Sequence, residues 1–217
     1  EYIFPNFNYE KSLNDNKNLN GDLTYTFRGF NKNYNTNIDE KVLVNDFKYF
    51  SFPKLSSTME GLKTSYKMLL RNINSNSTNS SKFKNGDDQK ILSSIILESS
   101  LPLKKEKIDS KSFLTPRISA RYSPNSTKNN LDTNVKLDYQ NIFSLDRIDD
   151  NAVEGGESLT FGLEYASLNK NGDNIFDLSV ANILRFNKNP DLPKIHNLND
   201  KRSDFIGNLN YIPSKYF

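Results

Sequence analysis

Hydrophobic and polar residues alternate along several stretches of the chain. Between Leu114 and Tyr122, Leu114, Ile118 and Tyr122 share one parity, while two arginines and two hydroxyl residues share the other. Because successive side chains of a strand point to opposite faces, this spacing predicts a strand with one apolar and one polar face. The same alternation recurs at residues 23–28, 62–71, 158–165, 176–186 and 204–211, and residues 39–50 and 90–101 are strand-like but less cleanly two-faced.

The segments between these strands are rich in Asn, Ser, Asp, Gly and Lys, which favour turns. The most biased segment is 72–88, which is interpreted as a long polar loop. No stretch of comparable length has helical spacing. The predicted fold class is therefore all-β and antiparallel.

Strand length favours a membrane β-barrel over a soluble sandwich. The clean strands run to about ten residues, enough to cross a bilayer at a tilt and longer than the usual five or six. Tyr122, Tyr165, Phe186 and Tyr211 lie near predicted strand ends, where an interfacial aromatic girdle would be found. The content of 35% hydrophobic residues and the mean hydropathy of -0.71 are low for a thick apolar core.

The loop lengths predict how the strands are connected. Adjacent antiparallel strands place their connections alternately at two sides, and outer-membrane barrels have short turns on one side and long loops on the other. If 124–156 is one long extracellular loop, roughly nine spanning strands result. One set of connections is then 12–21, 53–58, 104–111 and 169–173, and the other is 30–37, 72–88, 124–156 and 187–203. We expect Val135–Tyr139 to form at most a local pairing within its loop.

Composition excludes several classes of function. The net charge of +3 provides no electrostatic footprint for nucleic acid, and the lack of cysteine excludes thiolate chemistry. Nucleophilic catalysis would depend on His196 alone, a residue in a polar loop, so no enzyme activity and no cofactor are predicted. An acidic group in the 124–156 loop could hold a divalent cation, but its spacing fits no calcium loop and no metal site is predicted. Its members are Asp146, Asp149, Asp150, Glu154 and Glu157.

Three stretches around the long loop carry a family resemblance. Phe113–Pro124 contains a strand that ends in Tyr-Ser-Pro, Asp138–Ile148 contains an aromatic element followed by an Asp-Arg pair, and Val153–Leu163 contains a Gly-Gly start to the next strand. This order resembles the C-terminal barrel of the LPS-assembly protein LptD family, also called organic solvent tolerance protein. Weaker matches at Phe4–Tyr9 and Arg202–Pro213 extend the resemblance over the whole chain.

The resemblance implies a part of one outer-membrane β-barrel domain, covering residues 1–217, in lipopolysaccharide assembly and transport. It implies contact with lipopolysaccharide, with outer-membrane lipids and with a plug lipoprotein inside the barrel. Periplasmic bridge proteins would act through an N-terminal periplasmic domain that, like the remaining strands, we expect to lie outside this chain. Another outer-membrane barrel, such as a porin or receptor, and a soluble β-sandwich binding module are the alternatives.

Two groups of residues are predicted to have functional roles. The first forms the motif of the long loop, where a charged pair could fasten the loop to the barrel rim or over the lumen, and its residues are Asp146, Arg147, Glu154, Gly155 and Gly156. The second should face the lumen if the alternating apolar residues face lipid, and consists of Lys63, Lys67, Arg117, Arg121 and Arg185. These cations could contact the plug or lipid phosphates, or only hydrate the interior.

Overall fold

The computed structural model describes residues 2–13, 20–34, 37–125, 135–148 and 153–212, and these are almost all strand or irregular structure. The strands are β1 (Tyr2–Ser12), β2 (Gly21–Tyr34), β3 (Ile38–Ser51), β4 (Lys54–Leu55), β5 (Lys63–Thr78), β6 (Gly86–Ser100), β7 (Leu103–Lys107), β8 (Ser110–Ser123), β9 (Gly156–Asn169), β10 (Asn174–Arg185) and β11 (Ile206–Tyr211). One 3-10 turn, Ile195–Asn197, lies between β10 and β11. No helix in the described ranges is long and apolar enough to cross a membrane.

The strands form an antiparallel sheet in the order β1-β2-β3-β5-β6-β8-β9-β10-β11, with β4 paired to β5 and β7 paired to β8. Among the described residues, nine strands follow the path and two are short additions. This confirms the all-β antiparallel class, although β11 has only six residues. The described part of the connection between β8 and β9 contains no strand. Val135–Tyr139, for which a local pairing was considered, forms no strand with any other described residue.

Several predicted connections contain strand: β2 extends to Tyr34 within 30–37, β4 lies within 53–58, and most of β7 lies within 104–111. The largest error is at 72–88. The segment 72–88 was expected to be a polar loop, but β5 continues to Thr78 and β6 begins at Gly86. The register pairs Asn72 with Asn45 and continues to Thr78 opposite Asp39. The asparagines of this stretch alternate with buried residues, because Ile73, Ser75 and Ser77 are each less than a tenth exposed. The asparagines that suggested a loop therefore occupy one face of a strand.

Clustering divides the chain into two compact units. The first comprises Glu1–Phe52 and Lys67–Ile95. Val42, Val44 and Ile73 share one face of β3 and β5, where they pack together, and Phe30 of β2 is partly buried against them. On the same face Asp46 binds Arg71, with 2.7 Å between Oδ1 and Nε, and both side chains are almost fully buried.

The second unit comprises Pro53–Tyr66 and Ile96–Phe217. It contains β8, β9 and β10. β8 pairs with β9 in continuous register from Ser110 opposite Asn169 to Ser123 opposite Gly156, and β10 pairs with β9 with one irregularity between Asn174 and Phe176. Arg121, Ser158 and Arg185 are in register across the three strands, so their side chains share one face. This polar face is buried by the described residues 135–148 and 153–155 and by the irregular segment 186–205.

The opposite face of these strands is apolar and exposed. Ile118 on β8, Phe161 on β9 and Leu184 on β10 are 41%, 42% and 38% exposed. The first unit shows the same arrangement, since Phe47 and Leu70 are exposed while their neighbours Asp46 and Arg71 are buried. In a soluble sandwich the apolar face would be the one packed against a second layer. The exposed apolar face is the feature of the fold that bears most directly on function.

Candidate functional site

The long connection between β8 and β9 folds into a compact turn before it reaches the sheet. The side chain of Asp138 accepts hydrogen bonds from the backbone N–H groups of Gln140 and Asn141, at 2.9 and 2.8 Å. The side-chain amide of Asn141 donates to the carbonyl of Lys136 at 2.8 Å. Asp and Asn stabilise turns in this way because their short side chains reach nearby backbone groups. The turn presents Ile142 and Phe143 to the polar face of the sheet.

These two residues belong to an apolar cluster between the irregular segments and the sheet. Ile142 and Phe143 are 0% and 1% exposed. The second irregular segment contributes Leu192 and Leu198, which are both fully buried. The other members are Val135, Leu137, Tyr139, Ile148, Ala181, Ile183 and Ile206. Burial of each large aliphatic side chain is worth about 1.5–3 kcal/mol, so the cluster is sufficient to hold both segments down.

Arg147 forms a bidentate ion pair with Glu154 beneath this cluster. Nε lies 2.6 Å from Oε2, and Nη2 lies 2.6 Å from Oε1. The remaining guanidinium hydrogens are donated to the carbonyl of Ile142 at 3.0 Å and to the hydroxyls of Thr160 and Ser158 on β9, at 2.9 and 3.0 Å. The planar guanidinium suits this geometry because it donates in several fixed directions at once.

Two further arginines come from the strands. Arg185 at the end of β10 forms a second ion pair with Glu154 and donates from Nε to the carbonyl of Leu198 at 2.8 Å. Arg121 on β8 donates from Nη1 to the carbonyl of Leu145 at 3.0 Å and from Nη2 to that of Ser144. All four charged side chains are nine-tenths or more buried. We call Arg121, Arg147, Glu154 and Arg185 the clamp.

The charge of Glu154 is maintained by its partners. Burial alone would raise the pKa of this carboxyl group, because the ionised form loses its hydration. The positive charges of Arg147, Arg185 and Arg121, together with the hydrogen bond from Arg147, outweigh burial and hold the pKa well below its ordinary value of 4.5. Glu154 is therefore ionised at neutral pH, and the clamp carries three positive charges and one negative.

Arg117 fastens the loop at a second point. Its guanidinium binds Glu98 on β6, with 2.9 Å between Nε and Oε1. Its Cζ lies 3.9 Å from the centre of the Phe143 ring, in cation–π geometry. The same ring lies over Gly162 on β9, where an added Cβ would be 2.6 Å from the Phe143 Cζ. The close approach of the loop to β9 therefore requires glycine at position 162.

Only some of the predicted site residues contact one another in the structure. The structure brings Arg147, Glu154, Arg121 and Arg185 together, although the carboxylate that binds Arg147 is Glu154, seven residues later, and not the adjacent Asp146. Gly155 is buried between Glu154 and β9. Gly156 has a φ of 85°, a backbone conformation that residues other than glycine rarely adopt.

Other predicted residues lie elsewhere. Lys63 and Lys67 share one face of β5, where Lys63 is exposed and Lys67 is half-buried. His196 lies in the 3-10 turn, and its carbonyl accepts the backbone N–H of Asp204 at 2.9 Å. Asp149 and Asp150 lie outside the described residues. Among the residues that are described, no three acidic or histidine side chains form a group that could hold a metal ion.

The contribution of the segment 186–205 was not predicted from the sequence. Its backbone pairs with β10, since the Ser203 N–H donates to the carbonyl of Ile183 at 3.0 Å and the Ser203 hydroxyl accepts the Ile183 N–H at 2.9 Å. Leu192 and Leu198 are its apolar anchors. The only signal in the sequence was the pair of leucines within a polar segment. The clamp and its apolar cover thus hold two loops on one face of three strands, which is a mechanical arrangement.

Comparison with known proteins gives one family. The family model described as LptD, LPS transport system D, matches residues 2–217. The match covers both compact units and every described strand. No curated protein matches the chain.

Replacing Glu154 by Gln should release the loop. The substitution leaves Arg147 and Arg185 buried without a negative partner, which costs about 3–5 kcal/mol in comparable sites. We expect protease cleavage within 124–156 to accelerate at least tenfold while the strands remain intact, measured by limited proteolysis and mass spectrometry of the fragments. Asp200→Asn, which removes the exposed ion pair with Lys188, is the matched control and should leave the cleavage rate unchanged. Equal rates for wild type and Glu154→Gln would contradict the assignment.

The clamp should also resist mild acid. Because the pKa of Glu154 is lowered in the folded state, its contribution to stability is complete above the unfolded value near 4.5 and is lost as pH falls through the lower folded value. Amide hydrogen exchange in 135–148, corrected for the intrinsic effect of pH, should be constant from neutral pH down to about pH 4.5 and rise below it. Release of the loop between pH 7 and pH 5 would show that another group controls it.

Proposed function

The chain belongs to the LptD family, LPS transport system D, and from this we propose that it forms part of the wall of an outer-membrane β-barrel that transports lipopolysaccharide to the cell surface. The observation that carries the barrel proposal is the exposed apolar face of the strands. The proposed role is transport and requires no catalytic step.

The outward apolar residues fit a bilayer in length as well as in character. Leu114, Ile118 and Tyr122 follow one face of β8 and are each more than a third exposed. The nine residues from Leu114 to Tyr122 extend about 26 Å along the strand at ~3.3 Å per residue. At the usual strand tilt this is about 20 Å of depth, close to the ~25 Å apolar band of outer-membrane barrels. Phe161 and Leu163 on β9 continue the same face.

The opposite face fits the interior of such a barrel. It carries Arg117, Arg121 and Arg185, and the loop held by the clamp covers it. We propose that this face lines the lumen, and that the 124–156 loop is an extracellular loop folded back over it. In this arrangement the loop would narrow the polar path past β8–β10. The plug lipoprotein and the periplasmic bridge proteins would be the partners of the complete barrel, as the family resemblance implies.

The barrel proposal is tested by spin-label accessibility. The chain has no cysteine, so a label can be placed at single introduced cysteines. Labels at Ile118, Phe161 and Leu184 should collide with molecular oxygen, which concentrates in lipid, and should be shielded from a water-soluble nickel chelate. A label at Lys170, in the exposed turn between β9 and β10, should show the reverse. Measurements use the full-length protein reconstituted in phospholipid vesicles.

Two outcomes would overturn the barrel proposal. If the three apolar positions collide with the nickel chelate as readily as Lys170 does, this face contacts water. If they are shielded from both probes, a second protein layer covers them, as in a sandwich. Either result leaves the family assignment intact but removes the membrane placement of these strands.

Phe161→Arg should impair insertion into the membrane. A charged side chain on the lipid face of a barrel strand costs about 2–4 kcal/mol near the bilayer midplane. We expect less folded protein in outer-membrane fractions, measured by heat-modifiable migration on gels, whereas Phe161→Leu should insert normally. Normal insertion of Phe161→Arg would show that position 161 does not contact the hydrocarbon.

A further inference from the structure

The hairpin formed by β7 and the start of β8 has two chemically different faces. Leu103 lies opposite Leu114, and Lys105 and Lys107 lie opposite Ser112 and Ser110. Directly opposed residues of an antiparallel pair point to the same face. Because Leu114 belongs to the exposed apolar face of β8, Lys105 and Lys107 extend that face beyond its last apolar row.

On the other face of the hairpin the two lysines share one carboxylate. Lys104 binds Glu106, with 2.7 Å between Nζ and Oε1, and Lys111 lies 3.6 Å from the same oxygen. Lys105 and Lys107 form no ion pair with any other described residue. The two unpaired cations of the hairpin are thus both on the side that bears the apolar row.

The tip of the hairpin adds an apolar contact. Ile108 follows Lys107 in the turn and is 97% exposed. A fully exposed isoleucine beside unpaired lysines is typical of segments that bind in a membrane interface, where apolar side chains enter the acyl boundary and cations remain at the phosphates. A lysine also shares a face with an exposed aromatic side chain at β4. Lys54 lies opposite Thr64, on the face of β5 that exposes Tyr66.

The spacing matches a headgroup layer. Lys105 and Lys107 are two and four residues beyond Leu103, or about 7 and 13 Å along the strand. With the tilt of a barrel strand these are about 5 and 10 Å of depth. The polar layer on each side of a bilayer is about 5–8 Å thick, and lysine stems can reach back several ångströms. Both ammonium groups therefore reach the depth of the lipid phosphates.

We propose that Lys105, Lys107 and Ile108 form a docking surface for the headgroups of anionic phospholipids at the end of the strands opposite the long 124–156 loop. The inference rests on the proposed function, which places the apolar face of β8 in a bilayer. The two longest connections, 124–155 and 186–205, lie at the other end of these strands. Long loops mark the extracellular side of outer-membrane barrels, so the leaflet concerned is the inner one. The two lysines attract phosphatidylglycerol, and Ile108 inserts between neighbouring lipids.

Photocrosslinking from the hairpin tip tests this surface. Benzoylphenylalanine replaces Ile108 in the full-length protein, which is reconstituted in vesicles containing equal amounts of phosphatidylcholine and phosphatidylglycerol. Mass spectrometry then gives the ratio of the two lipid adducts. Two lysines near a membrane surface predict a preference for phosphatidylglycerol of roughly tenfold at low salt, which should largely vanish at high ionic strength.

Charge-matched variants identify the residues responsible. Lys105→Gln with Lys107→Gln should bring the adduct ratio close to one. Lys104→Gln with Lys111→Gln removes the same charge from the opposite face of the same hairpin and should preserve the preference. A ratio of one in the wild type, equal loss in both double variants, or adducts formed only with protein would overturn the proposal.

A second reporter separates this inference from the barrel proposal. Benzoylphenylalanine at Phe161 should form lipid adducts of both classes without preference, because it contacts acyl chains. Adducts at Phe161 without headgroup preference at Ile108 would overturn only the docking surface. The absence of lipid adducts at Phe161 would overturn the membrane placement itself.

Discussion

The buried carboxylate of Glu154 links three parts of the second unit. It binds Arg147 from its own loop and Arg185 from the end of β10, and Arg185 in turn reaches the carbonyl of Leu198 in the next loop. Removing these charges from water costs several kcal/mol for each ion. The cost is offset because almost every guanidinium hydrogen of Arg147 finds an acceptor within 3.0 Å. The arrangement defines one loop position rather than many.

The clamp lies on the polar face of the sheet, and this is the face that the loops cover. In most antiparallel sheets the apolar face is covered and the polar face meets water. Here the loops cover Ser158 and Thr160, while Phe161 and Ile118 remain exposed on the other side. Charged and hydroxyl side chains therefore supply the contacts that hold the loops, and the apolar side chains are left for another solvent. We propose that this solvent is the hydrocarbon of the outer membrane.

Alternation was sufficient to predict most strands because the two faces of each strand meet different surroundings. It failed at 72–78, where asparagines indicated a loop and the buried partners Ile73, Ser75 and Ser77 showed their role only in the paired sheet. Arg147 and Glu154 were singled out by the family motif. Their pairing with each other and with Arg185 could not be predicted, because Arg185 lies 31 residues from Glu154 and tertiary contact brings them together.

The coupling energy between Arg147 and Glu154 tests the central claim most directly. Protection of the 135–148 amides against hydrogen exchange, measured for wild type, Arg147→Gln, Glu154→Gln and the double variant, gives that energy as a double-mutant cycle. A clamp predicts strong coupling: the double variant should lose no more protection than the more damaging single variant. Additive losses, with a coupling energy near zero, would show that the ion pair does not hold the loop.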